Sequence, residues 1–312
     1  MPLPVVSYVT LGLAILLSGC TLIATDAVPD QRAEQPATTS EAAAVSEAEQ
    51  AVPEQTSLTY QAHPLAHSVV HTVTIPADSG WQIDVAVAAS LTPLSELATT
   101  QGAIAAINAG FFDPRNGLTT SFVTVNGDLV ADPRQNAGLM ENPDLQSYLQ
   151  AILDRSEFRV YDCGGAVQYD ITAHAAAVPS TCQMTAAVGA GPQLLPTQTG
   201  YAEGFLADNK AGDVVRDALG SQSPNARSAI GLKADGTVVL AIASQRPGAD
   251  QATGLTLPEM AEFLQTLGVE RALNLDGGSS SGLYFEGETY WGRVDASGAA
   301  IERPIKSILW VR

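Results

Sequence analysis

Positive charge is scarce in this chain of 312 residues. Fifteen Lys and Arg stand against 33 Asp and Glu, a net charge of −18. So acidic a chain repels a phosphate backbone unless it carries a local basic patch. No Lys/Arg cluster is present, which excludes nucleic acid as a partner. An anionic ligand can be held only at a focused site built from a few Arg residues and backbone N–H groups. The compositional biases of collagen, coiled coils and fully disordered chains are absent as well. Histidine is rare, four in all, and none follows His174. That removes the esterase reading of Gly278-x-Ser280-x-Gly282, which needs a later His and a helix behind the serine. His63, His67 and His71 fall four apart, but Pro64 interrupts them and the segment from Val69 is strand-like. They read as solvated or strand-face histidines. No EF-hand, zinc or P-loop pattern occurs. No metal site and no cofactor are expected, and a need for a divalent ion stays open.

A long apolar run is missing too. Residues 5–17 are apolar and uncharged, but a bilayer takes roughly 20 such residues. The segment fits a secretory signal, and it ends in Leu17-Ser18-Gly19-Cys20, which resembles the bacterial lipobox. Residues 1–20 are read as a lipoprotein signal, with Cys20 acylated after cleavage, although no Lys or Arg precedes the apolar run. Residues 21–57 carry seven acidic residues against Arg32 and little apolar area. They are read as a disordered acidic tether. The expected product is exported and lipid-anchored to the cell envelope, its domain outside the cytoplasm. That domain is residues 58–312, read as one unit because no repeat and no second linker appear. Its only cysteines are Cys163 and Cys182. In an oxidising compartment this pair predicts a disulfide, worth ~3 kcal/mol in the chain-entropy model.

Alternation predicts strands over Val69–Ile75, Trp81–Ala89, Ala103–Ile107 and Ile305–Val311. Helical spacing marks Leu91–Thr100 and Leu145–Leu153. Asn126-Gly127, Asp235-Gly236 and Glu286-Gly287 mark hairpins. Thr256-x-x-Glu259 is a capping box, followed by a helix that buries Met260, Phe263, Leu264 and Leu267 and ends at Gly268. A buried strand, Ala272–Leu275, then runs into Asp276-Gly277-Gly278-Ser279-Ser280-Ser281. Hairpins outnumber βαβ patterns, so the class is α+β: a mostly antiparallel sheet with packed helices in a single catalytic-type domain.

Several predicted strand ends carry Asn, Asp, Arg, Gly and Ser together. Successive glycines expose backbone N–H groups and the serines add donors, which suits an anion. An Arg fork reads phosphate bidentately, and Arg227 and Arg246 flank the preceding hairpin strands. Phe111 and Phe112 beside Asn108 and Asp113 can wall a sugar or form core. Together these point to a polar cleft for a phosphorylated or glycosidic substrate.

Five motifs stand in order: Asn108-Ala-Gly-Phe-Phe112, Gly189-Ala-Gly-Pro-Gln-Leu-Leu195, Arg227-Ser-Ala-Ile-Gly231, Gly254-Leu-Thr-Leu-Pro-Glu259 and Asn274-Leu-Asp-Gly-Gly-Ser-Ser280. Over roughly residues 100–311 this resembles the phosphodiester glycosidase family. The departures are Ala190, where the family often has Gly, and Ser279, where a third Gly commonly precedes the Ser pair. The resemblance implies hydrolysis of a sugar-1-phosphodiester, such as a GlcNAc-1-phosphate diester in a glycan or glycolipid, to free sugar and a phosphomonoester. It implies Asp276 as the carboxylate that activates water or steadies the cation, and Asp113 as the second candidate. Arg227, or else Arg246, would hold the phosphate with Gly277, Gly278, Ser279 and Ser280, and Asn108 would orient a sugar hydroxyl or the water. The alternative is a non-catalytic envelope protein that binds glycan or exopolysaccharide on the same fold.

Overall fold

The computed structural model describes residues 57–248 and 252–312. Cys20, the signal segment and the tether as far as Thr56 lie outside the described residues. In chain order the strands are β1 (Thr59–Pro64), β2 (Val69–Ile75), β3 (Ile83–Thr92), β4 (Ala105–Asn108), β5 (Val123–Val125) and β6 (Asp128–Ala131). Then come β7 (Ser156–Asp162), β8 (Val167–Ala173), β9 (Gln183–Gly189), β10 (Gln193–Leu195), β11 (Leu206–Asp208) and β12 (Val214–Asp217). The last are β13 (Arg227–Lys233), β14 (Val238–Ser244), β15 (Val269–Asn274), β16 (Gly282–Phe285), β17 (Glu288–Trp291) and β18 (Ile305–Val311). The α-helices are α1 (Leu94–Gln101), α2 (Ala137–Met140), α3 (Leu149–Leu153) and α4 (Leu257–Thr266).

The strands form a six-stranded sheet, β1-β2-β14-β13-β15-β10, and two five-stranded sheets, β17-β16-β4-β18-β3 and β6-β5-β9-β7-β8. β11 and β12 pair apart. The pairings are antiparallel, as hairpin-rich sequence requires. All three large sheets turn one face to a shared core that includes Val73, Ile107, Phe158, Val188, Leu240, Leu273 and Leu309. β14 shows how the sequence sets this up. Its apolar run alternates between two cores: Val238, Leu240 and Ile242 face the shared one, and Val239, Ala241 and Ala243 face a second under α4. A strand buried on both faces reads as a continuous apolar run rather than an alternation.

The capping box forms as expected: Thr256 Oγ1 accepts from Glu259 N at 3.2 Å, and Glu259 Oε2 accepts from Thr256 N at 2.8 Å. α4 then lays Leu257, Met260, Ala261 and Leu264 on the six-stranded sheet. Each large apolar side chain so buried contributes about 1.5–3 kcal/mol. α1 starts at Leu94, not Leu91, because Pro93 sits at its N-cap and β3 runs on to Thr92. Leu145–Leu153 divides into a 3₁₀ turn (Pro143–Tyr148) and α3. Asn126 and Gly127 both take positive φ, 52° and 81°, the primed turn their identity predicts. The Cys163–Cys182 disulfide is present and extends the β7–β9 ladder beyond its Asp162–Gln183 pair.

Candidate active site

Four of the five motifs meet at the C-terminal end of β15, and the remaining one, Gly254–Glu259, joins them through Leu255, which donates to Asn225 O at 2.9 Å and accepts from Arg227 Nε at 3.0 Å. Asp276 N donates to Ala109 O at 2.8 Å, Leu275 N to Ser228 O at 2.8 Å, and Gly278 N to Ala226 O at 2.8 Å. Gly191 N donates to Asn274 O at 2.9 Å, and Asn274 Nδ2 returns to Gly191 O at 2.8 Å. The fit is close: a β-carbon at Gly110 would stand 2.8 Å from Gly189 O. Small residues in these motifs let three loop backbones touch one strand end.

Asp276 is half-buried there. Burial pushes its carboxyl up to about 6, while Ser280, Arg303 and the Gly277 N–H favour the ionised form. Ser280 Oγ is buried and has no hydrogen-bond partner of good geometry among the described residues. Arg303 Nη1 donates to Ser279 Oγ at 3.1 Å, and its guanidinium carbon lies 5.1 Å from the Phe112 ring centroid. The turn is followed by strand β16, not a helix, so no nucleophile elbow forms. Hollows of about 370 Å³, beside Val130 and Lys306, and about 840 Å³, beside Leu149 and His174, open on the surface. Neither is lined by a residue of this turn.

Four sequence expectations need correction. Asn108 is 1% exposed and holds the turn together instead of facing a ligand. Its Nδ2 donates to Asp276 O at 2.5 Å, and its Oδ1 accepts from Ser228 Oγ at 2.7 Å and Gly282 N at 3.1 Å. Asp113 is locked by Arg115, whose Nε and Nη2 donate to it at 3.1 and 2.9 Å. Those side-chain hydrogen bonds hold its carboxyl below the usual carboxylate range, the wrong direction for taking a proton from water or for giving one. Arg227 lies 3% exposed with its guanidinium on the carbonyls of Leu219, Gly220, Ser223 and Leu255 at 2.7–3.0 Å. Burial lowers it to about 10. It ties the 219–223 loop to Leu255 and presents no free fork. Arg246 reaches the carbonyls of Leu65 and Ser68. Arg residues that flank the hairpin strands serve the fold here, because a strand end has carbonyls nearby to satisfy.

Sequence reasoning missed Arg303. It lies in the irregular stretch between β17 and β18, far along the chain from the motif it faces. Its one sequence signal is a cation just before a proline and a closing strand.

The sequence matches the profile of the phosphodiester glycosidase family over residues 101–312. No curated protein matches it in sequence. Among solved structures it is similar to the catalytic domain of zebrafish N-acetylglucosamine-1-phosphodiester α-N-acetylglucosaminidase, auto-inhibited by its pro-peptide. That likeness has a TM-score of 0.56 at 14% identity and covers 82% of each chain. A hypothetical protein from Synechocystis gives 0.52 at 19% identity over 81% of this chain, which spans 61% of that one. A protein of Burkholderia pseudomallei described as exported gives 0.50 at 17% identity, covering 78% of this chain and 74% of that one. At these identities the structures speak for the fold.

Proposed function

The chain belongs to the phosphodiester glycosidase family, and we propose that it hydrolyses a sugar-1-phosphodiester of a glycan or glycolipid with Asp276 as its base. One observation carries this. Where the family motifs meet, a carboxylate lifted to about 6 sits beside the buried hydroxyls of Ser280, which favours its ionised form, and Ser281. Such a group is ionised at neutral pH yet basic enough to take a proton from water. The water oxygen bonds to the anomeric carbon as the bond to the phosphate oxygen breaks. The water proton passes to Asp276, and the phosphomonoester leaves with the bonding pair. Phosphate is a good leaving group, so a second, strongly acidic carboxyl is not demanded. That matches a site in which Asp113 is occupied by Arg115. Ser279, Ser280 and Arg303 stand where negative charge grows on the departing phosphate. Asn108 fixes the position of Asp276 through its backbone oxygen.

The test is release of GlcNAc from a synthetic GlcNAc-1-phosphoalkyl ester. Asp276→Asn keeps the size of the side chain and removes the base, so turnover should fall by ~10²–10⁴-fold with product still bound. In the unaltered protein kcat/KM should fall as pH drops through about 6 and level off above it. A folded Asp276→Asn protein with near-normal turnover would refute the assignment.

The same reading places the domain outside the cytoplasm on an acyl anchor at Cys20, supported by the lipobox-like sequence and the Cys163–Cys182 disulfide. Cys20→Ala should move the protein out of the detergent phase in a partition assay; unchanged partitioning would sink the anchor.

A further inference from the structure

Eleven arginines fall within the described residues. Arg115, Arg134, Arg159, Arg271 and Arg312 pair with carboxylates. Arg155, Arg216, Arg227 and Arg246 donate to backbone carbonyls. Two are left without either among the described residues, Arg293 and Arg303, and both stand over the same turn. Arg303 donates to Ser279 Oγ and packs against Phe112. Arg293 Nη1 and Asn225 Nδ2 lie 4.0 and 3.9 Å from the point where a β-carbon on Gly278 would project. Gly278 has φ 62°, so a side chain there would be strained, and the space between these donors stays open. Asn225 Oδ1 already accepts from Ala226 N at 2.9 Å, which leaves the amide nitrogen pointing toward that space with no acceptor among the described residues. In a chain of net charge −18, two guanidiniums on one turn with no carboxylate in salt-bridge contact, Arg303 acting on Asp276 only at longer range, mark a place for an anion.

We infer that Arg303, Arg293, Ser279 Oγ and Asn225 Nδ2 form an oxyanion cradle that takes the phosphoryl group of the substrate. This rests on the glycosidase reading for which phosphoryl group is bound, but not for the cradle itself. The two arginines divide the work. Arg303 is half-buried and fixed by its serine and its aromatic neighbour, so it presents an oriented fork. Arg293 is exposed and acts mainly by charge.

The full chain is titrated with inorganic phosphate and the binding followed by calorimetry. A charge-assisted contact of about 1.5–3 kcal/mol corresponds to a roughly 10–100-fold loss, expected for Arg303→Ala. Arg303→Lys keeps the charge but loses the fork and the planar group over Phe112, and should bind nearly as weakly as Arg303→Ala. Arg293→Ala should lose less, and Arg293→Lys should be close to wild type. Arg134→Ala removes the same charge from an exposed pair with Asp132 and should change nothing. Melting curves confirm that each variant is folded. The cradle is overturned if Arg303→Ala and Arg293→Ala bind phosphate like wild type, or if wild type binds none at millimolar phosphate. Asp276→Asn separates the two readings. If it abolishes hydrolysis while the arginine variants bind normally, the glycosidase stands and the cradle fails. If the arginine variants lose phosphate while Asp276→Asn hydrolyses normally, the cradle stands and the role of Asp276 fails.

Discussion

Two of the places that hold charge away from water among the described residues are built in opposite ways. On the β7–β8 face, Glu157 and Arg159 are 1% and 2% exposed. Glu157 Oε1 accepts from Arg159 Nε at 2.6 Å, and Oε2 meets His174 Nδ1 at 3.0 Å. The remaining Arg159 nitrogens donate to the Tyr161 hydroxyl and to the carbonyls of Ala173, His174 and Ala176. The His174 ring lies flat on Phe122, with centroids 3.8 Å apart. The Asp276 turn is left incomplete instead. Of the five buried side-chain atoms without a partner among the described residues, three are on it: Asn274 Oδ1, Ser280 Oγ and Ser281 Oγ. A closed polar network at low dielectric rigidifies a fold, and an open one costs stability until something completes it. On the proposed reading the first region holds the fold together and the second is left open for a ligand. Arg227 sits beside the second but is built like the first, with each guanidinium nitrogen donating to a backbone carbonyl.

The largest expected difference between the regions is in stability. Arg159→Met leaves Glu157 buried and short of its main partner, a loss of 3–5 kcal/mol by analogy with other broken buried pairs, here taken as about 4. The melting temperature should drop by several degrees while turnover per folded molecule stays at the wild-type level. Arg303→Ala should do the reverse, losing phosphate affinity with a stability change within about 0.5 kcal/mol. If Arg159→Met melts like wild type, the closed network is not structural and the contrast collapses.

The sequence made much of the fold legible where one physical signal dominated. β2 and β18 fall on their predicted spans because alternation and a long apolar run leave one reading. The Asn126-Gly127 turn and the Thr256 capping box are local devices, specified within four residues, and both form. Alternation alone does not reveal β7 and β9. β7 is buried almost throughout yet carries Glu157 and Arg159, whose charges mask it as a strand until their mutual pairing is seen. Trp81 falls outside its predicted strand, and β3 begins at Ile83. At the candidate site, the sequence shows which small residues and which carboxylate share the turn, and the structure brings them to one strand end. The sequence does not show the partners of Arg227 and Asn108. A guanidinium or amide is equally suited to a phosphate and to a set of carbonyls, and only the approach of the Leu219–Ser223 loop and of β16 decides between them.

The smaller effect concerns the cost of keeping Asp276 ready. Its carboxyl stands at about 6 in the folded chain against an ordinary 3.8, because burial disfavours the charge. A folded pKa raised on an acid means that the folded state holds its proton more tightly than the unfolded state does. Below about 4 both states are protonated and the group costs nothing. Between about 4 and 6 the unfolded chain ionises first, and stability falls as pH rises. Above about 6 the loss is constant, at roughly 1–3 kcal/mol once partial exposure is allowed for. Asp276→Asn removes the charge, so it should melt higher than wild type at pH 8 and at the same temperature near pH 4. That gain, found together with lost turnover, would show that the turn gives up stability for a working carboxylate. A variant that melts lower than wild type at pH 8 would place Asp276 with Glu157 and Arg159, among the groups that hold the fold together.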